Sequence, residues 1–172
     1  ARIIDSFRKQ LIEPDLTFNP ALILGGTEIE VAQTSGSAAG KDNVIPRTAV
    51  IKSDLRYLTV EQRERTQQKM REIVADHLPG TTASIQFDEA YPPMAPTAGN
   101  KALLALYSSA SEQAGLGAMP ALPPGQRGAG DVQFVAPYVD SLDGLGVNGA
   151  GAHSPDEVLD IASIEKSTIR AA

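Results

Sequence analysis

The sequence predicts an α+β fold in which one β-sheet is covered by two helices. Two observations predict it. Helical and strand-like apolar periodicities alternate through the first half of the 172 residues, and a proline-rich stretch, Tyr91-Pro92-Pro93 to Pro96, ends this alternation. Because proline cannot donate to a β-ladder, that stretch marks a boundary. We therefore expect one domain over residues 1–95 and a second unit, different in character, over residues 96–172.

Two segments of the first half have helical periodicity. The apolar residues of the first segment share one helical face, which Pro14 ends, and they are Ile3, Ile4, Phe7 and Leu11. The second segment opens with Thr59 and Gln62, spaced as a capping box. Its predicted apolar face is Met70, Ile73, Val74 and Leu78, and Pro79-Gly80 closes it.

Strand-like segments separate and follow these helices. Residues 21–31 are strand-like with an interruption at Gly25-Gly26, and residues 34–42 are expected to form a flexible loop. Residues 44–58 alternate in polarity, and Ala83, Ile85 and Phe87 alternate with polar neighbours. The order helix, strands, helix, strand predicts a ferredoxin-like two-layer sandwich.

The second half has fewer candidates for a core. We expect a helix over about 100–114, a Gly/Pro-rich loop over 115–130, a short helix, a strand over 138–142, a second Gly-rich loop and a final helix from about residue 161. Two Gly-rich loops around one strand bury little, so this half is expected to complete a sheet supplied by other residues. The sequence also begins inside an apolar periodic stretch, and we expect it to be an excised piece of a longer protein.

Composition excludes several classes of function. The hydrophobic and charged fractions, 42% and 21%, are ordinary for a globular protein. The net charge of -6, without a Lys/Arg cluster, argues against nucleic-acid binding. The sequence contains no run of about 18 apolar residues of the kind that forms a membrane span. The absence of Cys excludes disulfides and thiolate metal sites, and it indicates no compartment.

A glycine-rich loop around His153 is the strongest local signal for chemistry. It runs from Gly144 through Gly151-Ala-His153-Ser-Pro-Asp-Glu157. A neutral imidazole beside glycines, which let the backbone approach closely, is a good metal ligand. The alternative is an ordinary surface loop with a solvated histidine, because one ligand does not make a site. The formal dinucleotide pattern Gly144-x-Gly146-x-x-Gly149 is rejected, since no helix opens after it.

The combined motifs resemble the zinc-dependent aminoacylase, glutamate carboxypeptidase and acetylornithine deacetylase family. Gly130-Asp131, the glycine loop and the His153 motif match the end of its catalytic domain in order and spacing. Residues 43–46, Asn-Val-Ile-Pro, and 54–56, Asp-Leu-Arg, resemble its small lid and dimerisation domain. The resemblance implies a C-terminal fragment: the lid domain, followed by the C-terminal portion of an α/β zinc-peptidase catalytic domain.

The resemblance also implies an activity, namely cleavage of an amide bond next to a free carboxylate, as in an N-acyl amino acid or a peptide C-terminus. His153 would bind one of two zinc ions in the full-length enzyme, and Arg56 and Asn43 would contact the substrate carboxylate or the oxyanion. It implies a homodimer through the small domain. The rival hypothesis is a non-catalytic dimerisation or binding module without a metal site.

Each candidate residue has both a functional and a purely structural interpretation. Arg56 can clamp a carboxylate in bidentate fashion or pair with Asp54 on a solvent-facing strand. Asn43 can donate to an oxyanion or satisfy a turn before Pro46. Two more candidates are Arg127, which reaches the substrate or decorates a mobile loop, and Glu157, a partner of the His153 loop or a solvated acid. Asp131 can orient the neighbouring backbone or cap the short helix that follows it, and we favour the cap.

The sequence lacks several motifs of the family pattern. Its two histidines are His77 and His153, and it has neither a His-x-Asp motif nor a Glu-Glu pair, which supply the other zinc ligands and the general base in the family. His77 is read as a surface residue near a helix end. We therefore expect the chain alone to bind zinc incompletely or not at all, and to be inactive.

Overall fold

The computed structural model describes residues 1–88 and 91–172. The chain divides into two compact units, Ala1–Asp88 and Glu89–Ala172, and each is described by itself. Among the described residues, no helix is long and apolar enough to cross a membrane.

The first unit combines two helices with short antiparallel ladders. Its elements are α1 (Arg2–Gln10), β1 (Thr17–Gly26), β2 (Glu28–Val31), β3 (Gly36–Ala39), β4 (Thr48–Arg56) and α2 (Val60–Ala75). Strand β1 pairs with β4, and β2 pairs with β3. This mixture of helices and small antiparallel sheets agrees with the predicted α+β class.

The core of the first unit lies between the helices and the β1–β4 ladder. Phe7 of α1 and Met70, Ile73 and Val74 of α2 are its buried apolar residues. Phe18 and Leu55, which face each other across the ladder, pack against this cluster. The rings of Phe7 and Phe18 meet edge to face with centroids 5.4 Å apart, a favourable aromatic geometry. The predicted apolar faces of both helices therefore cover the sheet.

A bulge in β1 shifts its pairing with β4 by one residue. Pro20 pairs with Ser53 and Leu22 with Lys52, so Ala21 is the extra residue. Since side chains alternate along a strand, the insertion places Ile23 rather than Leu22 on the face of Phe18. Ile23 is 60% exposed, so the helices do not cover this end of the ladder.

The loop expected over residues 34–42 contains a strand, and that prediction was wrong. Residues 36–39, Gly-Ser-Ala-Ala, form β3, whose side chains are all exposed. These residues show no apolar alternation, so sequence pattern does not predict the strand. Backbone hydrogen bonds to β2 hold it in place, rather than burial of its side chains. The Lys52 ammonium also donates to the carbonyls of Ala32 and Gln33 at 2.6 and 3.1 Å, which fastens the hairpin loop.

The end of α2 and the segment after it also differ from expectation. The helix ends at Ala75, and Leu78 is 57% exposed rather than part of the apolar face. Residues 82–88 keep the predicted alternation, with Ala83, Ile85 and Phe87 against the core, but they form no strand. Within the described residues, no backbone hydrogen bond pairs this segment with another. Polarity predicted the packing correctly, whereas a strand also needs a neighbouring backbone.

The second unit is held together by polar contacts. Its elements are α3 (Ala98–Gln113), two 3₁₀ turns (Pro124–Gln126 and Asp131–Phe134), β5 (Gly149–Ala150), β6 (Val158–Leu159) and α4 (Ala162–Ala171). The helices agree with the predicted ones. The predicted strand at 138–142 is wrong: Tyr138 lies in a turn and is 84% exposed. The buried side chains described here are Asn100, Ser111, Ser141 and Ser163, all polar.

Two hydrogen-bonded clusters join the parts of the second unit. Arg170 of α4 donates to the Ser111 hydroxyl at 3.0 Å and to the Leu116 carbonyl at 2.9 Å, which ties α4 to the end of α3. At the start of α3, the Asn100 side-chain oxygen accepts from the backbone N–H of Ser141 at 2.9 Å. These bonds satisfy buried polar groups and fix the helix ends.

Candidate functional site

His153 lies at the tip of a short β-hairpin. In the hairpin, Gly149 pairs with Leu159 and Ala150 with Val158. The backbone turns at Gly151, whose carbonyl accepts from the N–H of Ser154 at 2.9 Å. His153 is exposed and has a φ of 66°, an uncommon conformation for a residue other than glycine. The imidazole is thus presented outward from a tight backbone turn.

Glu157 fixes the backbone of this turn. Its carboxylate accepts from the backbone N–H of His153 at 3.2 Å, and its own N–H donates to the Ser154 carbonyl at 3.2 Å. The carboxylate therefore contacts the main chain of His153. Sequence motifs placed these two residues near each other, but they did not indicate which atoms meet.

The described residues do not by themselves fit a zinc ion. Zinc sites use three or four protein ligands. Throughout residues 1–88 and 91–172, no group of three or more His, Asp or Glu side chains comes together as a metal site. His153 therefore offers a single donor.

Arg56 forms an ion pair with Asp54 on β4. The Nε atom lies 2.6 Å from a carboxylate oxygen of Asp54, and the two side chains are 54% and 51% exposed. Residues two apart on a strand share a face, so the strand itself brings the pair together. An exposed pair of this kind contributes little to stability, which leaves the guanidinium able to exchange its partner.

The other two candidates for substrate contact lie in turns. Asn43 is exposed in a turn that the Val44 N–H closes by donating to the Lys41 carbonyl at 3.0 Å. Arg127 follows the first 3₁₀ turn and is partly buried. Its guanidinium donates back to the Pro124 carbonyl at 2.7 Å. Arg56 and Asn43 belong to the first unit, and Arg127, His153 and Glu157 belong to the second.

The capping role favoured for Asp131 was wrong. Gly130 occupies the N-cap position, and Asp131 is the first residue of the 3₁₀ turn. Its carboxylate accepts from the Tyr91 hydroxyl at 3.1 Å, and this hydrogen bond is the main cause that raises the pKa of Tyr91. The sequence separation of 40 residues explains why local pattern did not indicate this contact.

A polar cluster in the first unit, the Glu13 cluster (Glu13, Gln62 and Arg65), was also missed. Arg65 Nε and Nη2 contact the two carboxylate oxygens of Glu13 at 3.1 and 2.7 Å. Hydrogen bonding from Arg65, the largest cause, lowers the pKa of Glu13. Gln62 donates to the Pro14 carbonyl at 3.0 Å. The cluster fastens the α1–β1 turn to the start of α2, and its partners lie too far apart in sequence for periodicity to reveal.

Comparison with known families gives a match for the first unit. Residues 1–82 match the family model of a peptidase dimerisation domain, M20_dimer. The match spans 82 of 172 residues and leaves the His153 hairpin outside it. A search of curated proteins found no match, and neither did a search of solved structures. Over its first 82 residues, the chain is thus similar to this dimerisation domain.

Proposed function

We propose that this chain is part of an M20-family hydrolase, with residues 1–82 as its dimerisation domain. The observation that carries the proposal is the family match over the unit in which α1 and α2 cover the β1–β4 ladder. The complete enzyme is a zinc-dependent metallocarboxypeptidase or deacylase. It cleaves an amide bond next to a free carboxylate, in an N-acyl amino acid or at a peptide C-terminus.

Homodimer formation through the first unit is part of this proposal. The β1–β4 sheet has two strands, so each has one edge without a ladder partner among the described residues. Unpaired strand edges are the surfaces through which sheets associate. Residues 44–58 and 60–78 are the proposed pairing region, and a closed two-fold pair is the commonest oligomer. Analytical ultracentrifugation across a dilution series should show two copies, whereas a monomer at every concentration contradicts this part.

Arg56 is the proposed anchor for the substrate carboxylate. A guanidinium binds a carboxylate through two parallel hydrogen bonds, and Asp54 already presents one such group to it. A substrate carboxylate would replace an exposed partner that binds Arg56 weakly. Asn43 and Arg127 are proposed as further substrate contacts, Asn43 at the oxyanion.

His153 is the proposed zinc ligand of this chain. The complete enzyme binds two zinc ions, and the other ligands and the general base come from residues outside this chain. Glu157 supports His153 by holding its backbone. Because this chain supplies one donor, we expect it to be inactive alone. Added zinc should produce no hydrolysis of N-acyl amino acids, and turnover abolished by a chelator would contradict this expectation.

A second candidate function is a dimerisation or binding module without metal. It is favoured by the Arg56–Asp54 pair and by the single exposed donor at His153, both of which suit a surface without chemistry. Zinc analysis of the full-length protein separates the two. Stoichiometric zinc with hydrolysis supports the enzyme, and a metal-free protein that still dimerises supports the module.

A further inference from the structure

The Gly-rich loop before the His153 hairpin contains two dipeptides that can rearrange spontaneously. They are Asp143-Gly144 and Asn148-Gly149. In both, the nitrogen of the glycine can attack the side-chain carbonyl carbon of the preceding residue, because glycine offers no steric hindrance. In short flexible peptides, Asn-Gly is the faster of the two. In the structure, the two sites differ in how their backbone is held.

The Asp143 carboxyl is held against the backbone nitrogen that would attack it. The N–H of Gly144 donates to Asp143 Oδ1 at 2.8 Å, so the side-chain carboxyl stays beside the nitrogen that would attack its carbon. The other oxygen lies against Gly130, where an added Cβ would collide with it. Asp143 and Gly144 are exposed, lie outside any helix or strand, and Gly144 has a φ of 69°. Water can therefore reach the Asp143 carboxyl and the Gly144 nitrogen.

Asn148, in contrast, is held on both sides of its own backbone. Its N–H donates to the Ser163 hydroxyl at 2.8 Å, and its carbonyl accepts from the Asp160 N–H at 2.9 Å. The next residue, Gly149, is in the β5–β6 ladder, where an added Cβ would lie 2.5 Å from the Val158 carbonyl oxygen. Ring closure needs this backbone to rotate, so the ladder must open first.

We propose that Asp143 is a site of isoaspartate formation in the folded chain and that the hairpin protects Asn148. The Gly144 nitrogen forms a bond to Cγ of the neutral Asp143 carboxyl, and the carboxyl hydroxyl leaves with the amide proton as water. A second water molecule opens the resulting succinimide at either carbonyl, giving aspartate or isoaspartate. No electrons are transferred. The isoaspartate product lengthens the backbone of the loop that leads to His153 by one carbon.

The test uses the Asn148→Asp variant as a matched comparison, because it has the same Asp-Gly chemistry at both positions. The folded 172-residue chain is incubated in mildly acidic buffer, and isoaspartate is quantified at each position by peptide mapping with fragmentation mass spectrometry. A parallel sample is incubated in concentrated urea. The Asp143→Glu variant identifies the signal from position 143, since the longer side chain cannot close the five-membered ring.

We expect isoaspartate at position 143 to form at least about tenfold faster than at position 148 in the folded variant, and at similar rates in urea. Similar rates at both positions in the folded chain would overturn the proposal. So would a folded chain in which position 143 forms no isoaspartate although the urea sample does. The reaction needs neither zinc nor substrate, so its outcome is independent of the proposed enzymatic function.

Discussion

The carboxylate of Glu157 accepts a hydrogen bond from the backbone N–H of His153 at 3.2 Å. His153 has a left-handed backbone, which costs a side chain other than glycine some stability, and this hydrogen bond offsets part of that cost. The backbone turn that carries the imidazole is thus held by a residue four positions along the chain. We therefore propose Glu157 as a positioning residue for the proposed zinc ligand.

Removal of the Glu157 carboxylate should loosen the His153 turn. In Glu157→Ala, we expect the His153 amide proton to exchange about fivefold to tenfold faster, which corresponds to ~1 kcal/mol for one hydrogen bond. Glu157→Gln keeps an acceptor oxygen and should restore most of the protection. Hydrogen exchange followed by NMR measures this. Asp156→Ala is the matched control, and an equal acceleration there would show that the Glu157 bond does not control the turn.

The hydroxyl of Thr66 is an unfavourable group in the core. Thr66 is 2% exposed, and its Oγ1 has no hydrogen-bond partner among the described residues. Thr66→Val keeps the shape and removes the unpaired hydroxyl, so we expect it to raise the free energy of unfolding by up to about 1 kcal/mol. Urea denaturation measures the change, and a loss of stability would indicate an unrecognised partner.

Thr59 provides the opposite case on the same helix. Its hydroxyl accepts from the backbone N–H of Gln62 at 3.1 Å, as the predicted N-cap requires. The Gln62 side-chain oxygen accepts from the N–H of Leu58 at 2.7 Å, one residue before the N–H that a full capping box would use. The same substitution, Thr59→Val, should therefore lower the free energy of unfolding by about 1 kcal/mol. If Thr59→Val and Thr66→Val changed stability in the same direction, hydrogen bonding would not explain either effect.

Acid should weaken the Glu13 cluster. Arg65 lowers the pKa of Glu13 in the folded chain, so the stabilisation is present above the unfolded pKa and is lost as the pH falls through the folded one. Glu13→Gln should lower the free energy of unfolding at neutral pH. It should also make this free energy fall less steeply as the pH drops below the usual carboxylate pKa range. Urea denaturation as a function of pH measures this. An unchanged slope in Glu13→Gln would remove Glu13 from the acid response.

The proposed contact between Arg56 and a substrate carboxylate can be tested by kinetics of the full-length protein. Arg56→Ala should chiefly raise KM, because a charge-assisted hydrogen bond contributes roughly 1.5–3 kcal/mol. Arg56→Lys should restore little, since an ammonium cannot reproduce the planar fork. Asp54→Ala is the control that removes the ion pair but keeps the guanidinium. An unchanged KM in Arg56→Ala would show that Arg56 forms only a surface ion pair and does not bind the substrate.

Sequence pattern predicted the parts of the fold that local burial determines. The Thr59 N-cap and the apolar faces around Phe7 and Met70, apart from Leu78, were correct because each rests on residues within a few positions of one another. The β3 strand was missed because backbone pairing alone defines it. The segment at Ile85 has the right alternation and no strand, since the ladder partner is a non-local property.

The candidate site shows the same limit. Motifs singled out His153 and Glu157, yet only the structure shows that the carboxylate meets a backbone N–H. The Arg56–Asp54 pair follows from strand spacing, so sequence could offer it as an alternative. The contacts of Asp131 with Tyr91 and of Glu13 with Arg65 join residues 40 and 52 positions apart, and no local pattern indicates them.

Zinc content of the full-length protein tests the central claim most directly. His153→Ala should lower the bound zinc measured by elemental analysis and reduce kcat, because it removes the proposed ligand rather than a proposed substrate contact. His77→Ala is the matched control: it removes the chain's other histidine, which lies beyond the end of α2 and is exposed. We expect loss of zinc and kcat in His153→Ala and wild-type values in His77→Ala. Full zinc occupancy with unchanged kcat in His153→Ala would contradict it.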